Sequence, residues 1–351
     1  VGMACNICSF NLAELCATTV ALMKDEKHDI STTMPAPDFV GGGQILYDEA
    51  QMPGNKYLSS ALEEGFLKAP NNDRMKFSLL WCNHDLGDIA RGAVTPETFE
   101  LLTDYVIEHY FKHPSYWLVD GCPYFSIYEV NTFLATFGGD YARAGEAIAR
   151  FREKVKAAGF PDLHLNGVLF GLGGILSQAV AALGLNSTTS YVWIHHNILP
   201  DFPATRYEKA ASQYMNSVRN GGGSNGLENG AAGIPVPYHL NISMGWDSSP
   251  RCGNVTPGEW LRRRDYPFGA VIVDNTPYLF KKYLAEAKAW TLAKPESERI
   301  VVINSWNEWG EGSYLEPDTG NGMGYLEAVR DVFGSQQANG TSTAGERTVK
   351  N

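Results

Sequence analysis

The feature that most restricts this chain is a repeated change of period. Short runs rich in β-branched and aromatic residues alternate with longer amphipathic stretches along most of its length. That alternation is the pattern of βα units around a parallel sheet, because parallel neighbours need a long crossover and a helix supplies it. The β-rich runs are Gln44 to Tyr47, Phe77 to Cys82, Tyr124 to Ile127, Leu163 to Leu169, Thr189 to Ile194, Tyr238 to Ser243 and Ile300 to Ser305. Helical patterns lie at Tyr57 to Leu67, Pro96 to Phe111, Tyr141 to Ala158, Ile175 to Leu183, Arg206 to Val218 and Pro277 to Leu292. Thr95 followed by Pro96 is a cap with proline at the first helical position, a clear start signal.

These runs predict an α/β fold, a (β/α)8 TIM barrel lacking one visible strand. The first strand is unclear: Val1 to Val40 has no clean period, and Thr18 to Met23 is the candidate within it. The length of 351 residues fits one barrel or two smaller domains. No linker divides it, so a single domain over 1–333 is expected. The glycine-rich stretch Asn220 to Gly233 reads as a mobile loop inserted before the seventh barrel strand, and 334–351 as a flexible tail.

Composition narrows the partners. Lys and Arg total 28 against 39 Asp and Glu, a net charge of -11 and the wrong sign for gripping a phosphate backbone, so nucleic acid is not expected. The 17 Tyr, 16 Phe and 8 Trp exceed what a core needs and suit a ligand on which rings can stack. Cys5, Cys8, Cys16, Cys82, Cys122 and Cys252 are too scattered for a disulfide scaffold, and the Cys5–Cys8 pair has no matching second pair, so no metal or cofactor is expected. No run of 18 apolar residues occurs, hence no transmembrane segment is expected. No basic region precedes Ile7 to Met23 as a secretory leader requires, so any leader is expected to have been removed or lost.

In a parallel barrel the chemistry sits where strands end and βα loops begin. After Ile300 to Ser305 comes a segment holding Trp306, Asn307, Glu308, Trp309, Glu311 and Tyr314. Glu308 and Glu311 are three apart and share a face only if the backbone turns, which Gly310 and Gly312 permit. Two carboxyls in an indole-lined pocket have separated pKa values, one serving as acid and the other as base or nucleophile, as glycoside hydrolysis requires. Other strand ends add Asn83 and His84, Tyr128, Tyr191 with His195, and Trp246 with Asp247 and Arg251. Asp247 and Arg251 are also spaced to form an ion pair that only pins their loop.

The stretches INSWNEWGEGSYLEPD (Ile303 to Asp318), MGWDSSPR (Met244 to Arg251), SYVWIHH (Ser190 to His196) and LEEGFLKAPNNDRMKFSLLWCNHD (Leu62 to Asp85) resemble the glycoside hydrolase family 99-like WbsX proteins. These are more distantly similar to the family 99 endo-α-mannosidases. The resemblance implies a (β/α)8 barrel and a glycan substrate. It also implies that Glu308 assists the sugar's own 2-hydroxyl as nucleophile and that Glu311 is the general acid and then base, with configuration retained. Glycan-assembly transfer and a catalytically inactive carbohydrate-binding barrel are the alternatives. Glycan degradation implies a periplasmic or extracellular location.

Overall fold

The computed structural model describes residues 61–84, 94–253 and 255–334, with isolated positions between 21 and 28. Its strands are β1 (Leu79–Trp81), β2 (Leu118–Val119), β3 (Cys122–Ile127), β4 (His164–Val168), β5 (Ser187–Thr189), β6 (Ala204–Arg206), β7 (Tyr238–Ser243), β8 (Val271–Val273), β9 (Val301–Asn304), β10 (Asn307–Glu308) and β11 (Ser313–Tyr314). The helices are α1 (Pro96–Val106), α2 (Val130–Thr136), α3 (Tyr141–Ala157), α4 (Leu176–Leu183), α5 (Tyr207–Asn220), α6 (Pro257–Arg262), α7 (Pro277–Leu292) and α8 (Gly324–Phe333).

Local chemistry explains the helix ends. Thr95 accepts the Thr98 N–H and Thr98 answers with its own side chain, a reciprocal cap that starts α1, which runs on into a π turn over Ile107–Phe111. Asp140 caps Ala142 and Arg143 at the start of α3, whose buried face is Ala144, Ala147, Ile148, Phe151 and Val155 at helical spacing. Gly184 stops α4 in the left-handed conformation with φ 60°.

Six strands run parallel in the order β1-β3-β4-β5-β7-β9, and β2 folds back antiparallel on β3. This is a part-barrel, since eight-stranded closure is not reached among the described residues. The short pair β6 and β8 is also parallel, and Ile272 donates its N–H to the Trp246 carbonyl at 2.6 Å, tying β8 to the end of β7. Barrels usually fill their interior with Val, Ile and Leu. Here the strands carry a polar ladder instead. Ser126 donates to Asn166 at 3.1 Å, Asn166 to Ser187 at 2.9 Å and Ser243 to Asn304 at 3.1 Å, while the Tyr124 hydroxyl meets His239 Nδ1 at 2.9 Å.

Two expectations change. The run from Thr189 to Ile194 leaves the sheet after Thr189, because Trp193 turns into the core and donates its indole N–H to the Asn241 carbonyl at 3.2 Å. The glycine-rich stretch is a packed clasp rather than a free loop. Leu227 is fully buried, the Ser224 N–H donates to the His196 carbonyl at 2.9 Å, and a side chain at Gly226 would meet Leu169 at 3.0 Å. Its glycines allow close approach. The strand expected at Gln44 to Tyr47 lies outside the described residues, as does nearly all of Thr18 to Met23.

Candidate active site

The site is built at the carboxyl end of β9. Beyond it the chain forms the β10–β11 hairpin, with Asn307 opposite Tyr314 and Glu308 opposite Ser313. A 3-10 turn, Trp309–Glu311, closes the hairpin, so Glu308 and Glu311 come round to the same side. Ser305 fixes the hairpin base, accepting the Glu308 N–H at 3.2 Å and donating to the Ser313 carbonyl at 2.7 Å. Gly312 ends the turn at φ 63°, and a Cβ there would stand 2.8 Å from the Asp247 Cβ. Only glycine lets the β9 hairpin lie against the loop after β7. The Asp247 N–H completes that contact by donating to the Glu311 carbonyl at 2.7 Å.

The same loop delivers Arg251. Its Nη2 lies 3.1 Å from Glu308 Oε1 and 3.3 Å from Glu311 Oε1, so one nitrogen reaches both carboxylates. Asp247 makes a different contact from the ion pair its spacing allowed: its carboxylate accepts the Ser249 N–H at 2.9 Å, and Arg251 turns to the glutamates. Tyr191 stands near Glu308, and the Tyr266 hydroxyl donates to Glu311 at 3.5 Å.

Electrostatics separate the two acids. Burial raises Glu308 above its ordinary value, countered by the charge of Arg251 and by hydrogen bonds from Arg251 and Tyr191. Glu311 is pushed up to about 7, by burial first, with the neighbouring charge of Glu308 adding to it against the opposing pull of Arg251. At neutral pH the pair therefore holds one proton more readily on Glu311.

The other strand ends line the approach. Tyr128 stands edge-on to Tyr191 at 5.1 Å and to His84 at 4.6 Å. His84 Nδ1 pairs with Glu129 at 2.7 Å, and Thr132 holds the other Glu129 oxygen at 2.6 Å. His195 lies over Phe170 at 4.2 Å and faces Tyr191 at 6.3 Å; burial pushes its imidazole down to about 3, so it is neutral.

Several expected contacts are built differently. Asn83 is fully buried, with its amide bonding the Glu129 carbonyl at 2.8 Å and the Glu129 N–H at 2.7 Å, so it joins two loops and both ends of its amide are engaged there. Trp246 is 6% exposed and belongs to the core, which removes it as an open stacking platform. Trp309 has one face covered by Tyr314 at 3.6 Å and its indole N–H on Glu316 at 2.6 Å. Trp306, 51% exposed, is the open indole of the group. Tyr266 and Phe170 were not singled out from sequence. Phe170 follows β4 closely, where the strand-end rule points, whereas Tyr266 sits in a loop between α6 and β8 with no period to mark it.

A family model described as glycosyltransferase WbsX matches residues 52–329. The chain belongs to the WbsX family. The match takes in β1 to β11 and every residue of the site described above. A second model, of the DNA gyrase/topoisomerase IV family, matches residues 1–64. Curated relatives, each called "Uncharacterized protein WxcX", come from two strains of Xanthomonas campestris pv. campestris. They are 33% identical over 93 residues, 26% of this chain and 12% of theirs. The chain thus matches about an eighth of their length. Solved structures similar to this WbsX chain include a "Glycoside hydrolase-like protein" at 15% identity and TM-score 0.42, covering 68% of this chain and 60% of that one. Another is the GH99 endo-alpha-mannosidase from Bacteroides thetaiotaomicron at 16% identity and TM-score 0.41, covering 74% and 62%.

Proposed function

We propose that this WbsX protein is a carbohydrate-active enzyme and, within that class, a retaining glycoside hydrolase in which Glu308 and Glu311 are the working acids. The observation that carries the reading is the pair itself: two partly buried carboxylates held by one Arg251 nitrogen at the mouth of β9. Oxygens that share one nitrogen bring both acids to a single reacting centre.

Glu311, the more readily protonated member, takes the role of general acid toward the leaving oxygen. Glu308, held ionised by Arg251 and Tyr191, accepts a proton from the attacking group, which by the family resemblance is the sugar's own 2-hydroxyl. Trp306, Tyr191 and His195 present ring faces, edges and neutral hydrogen-bonding groups that suit a sugar ring, while Tyr128, as buried as Trp246, backs Tyr191 edge-on.

Replacing either acid by Gln tests this. E308Q and E311Q should each reduce turnover of a cleaved glycan by at least about a hundredfold while binding it with near-unchanged affinity. Undiminished turnover in both variants removes the assignment.

The description of the family as a glycosyltransferase favours a second reading, transfer by the same acids. Incubation with an oligosaccharide in water alone separates the two. A hydrolase releases reducing ends, and a strict transferase releases none.

A further inference from the structure

We propose that Arg251 is a positioning residue that makes the two glutamates unequal, directing its N–H to Glu308 to hold it ionised while leaving Glu311 free to carry the proton. This rests on the reading of the pair as acid and base, and it assigns the residue that sets their order. The geometry is asymmetric. Arg251 Nη2 makes a directed hydrogen bond to Glu308 at 3.1 Å, whereas its 3.3 Å approach to Glu311 is a charge contact. Glu311 takes its hydroxyl partner from the other side, Tyr266 at 3.5 Å.

Each element packed around the pair contributes a group. Cys82 follows β1, Tyr128 and Glu129 follow β3, Tyr191 follows β5, Asp247 and Arg251 follow β7, and Tyr266 precedes β8. Among them Arg251 is the fixed positive charge. Glu129 is turned to His84 and Thr132, and the Asp247 carboxylate to the Ser249 N–H. An opposite charge at this distance favours the ionised form of a carboxylate by about one to three pH units. The elevation of Glu311 to about 7 agrees with this order.

Arg251 is itself held for the purpose. It follows Pro250 in a short 3-10 turn, Ser249–Cys252, and its N–H donates to the Ser248 carbonyl at 3.0 Å. Ser248 is in turn anchored through its hydroxyl to the Pro267 carbonyl at 2.6 Å, next to Tyr266.

The test needs no substrate. Protein labelled with 13C at the glutamate carboxyl carbon is titrated by NMR, with the two resonances assigned from E308Q and E311Q. R251M and R251Q remove the charge, and R251K keeps it. The expected result is that Glu308 titrates below Glu311 in the parent, rises by more than about one pH unit in the neutral variants, and stays below Glu311 in R251K. An unmoved Glu308 midpoint in any folded neutral variant, or a rise of Glu311 as large as that of Glu308, overturns the proposal, because a merely structural arginine would leave both midpoints in place and an even-handed one would move them together. Glycan turnover is scored separately. A parent protein that cleaves nothing counts against the enzymatic reading, and the titration still decides the role of Arg251.

Discussion

At the residue scale, the site depends on how differently two nearby carboxyls experience the same pocket. Glu311, raised from an ordinary 4.5 to about 7, is protonated more easily in the folded chain than in the unfolded one. Its contribution to stability is therefore complete below about 4.5 and is lost as pH rises through about 7. E311Q removes a titrating group and should flatten this component. The difference in unfolding free energy between E311Q and the parent, followed by urea denaturation from pH 4 to 8, should change across that window and level off above it. A difference independent of pH would mean that Glu311 is not perturbed. Activity should be bell-shaped, falling on the alkaline side as Glu311 loses its proton near pH 7 and on the acid side as Glu308 gains one. A kcat/KM profile that is flat from about pH 4 to 9 would contradict this.

At the element scale, two contacts bring loops from separate strands together. Gly312 in its left-handed conformation lets the β9 hairpin meet Asp247, so G312A must shift the backbone that carries Glu311. The expected outcome is a loss of activity of at least about tenfold, since small displacements of a reacting group are costly, with modest loss of stability. Crystallography of G312A should show the hairpin displaced from the loop after β7. Asn83 bridges the loops after β1 and β3, and N83A leaves the Glu129 N–H without its partner while the Glu129 carbonyl keeps the Phe133 N–H at 3.0 Å. That should cost about 1–3 kcal/mol by chemical denaturation.

The elements also show how far the sequence could be read. The run Tyr238 to Ser243 and the helices Pro96 to Phe111 and Pro277 to Leu292 form where their periods and caps say, because each is long and strongly signalled. Strands of three residues such as β6 and β8 escape, since three positions carry no period. The convergence of Glu308 and Glu311 was legible from their glycines. The burial of Trp246 and the pairing of Trp309 with Tyr314 were not, because composition shows that indoles are present and only packing shows which faces stay open.

At the scale of the whole molecule, the interior holds histidines in neutral form. Burial lowers His164 and His196 to about 4, and His195 and His239 to about 3, from an ordinary 6.5. Groups with depressed folded values stabilise the fold above 6.5, and that contribution is lost as pH falls through 4 to 3. The thermal midpoint should therefore drop steeply between about pH 6.5 and 4 despite the opposite trend of Glu311, because four groups outweigh one. A midpoint that stays level over that range, by calorimetry, would show that these imidazoles are not buried neutral.

The most direct measurement of the central claim is 1H NMR of the anomeric protons released when the parent protein, E308Q and E311Q act on a panel of defined glycans in water. The expected result is a first-formed product of retained configuration from the parent and essentially none from either variant. Release by both variants at the parental rate, or a first-formed product of inverted configuration, would contradict the proposed roles of the two glutamates.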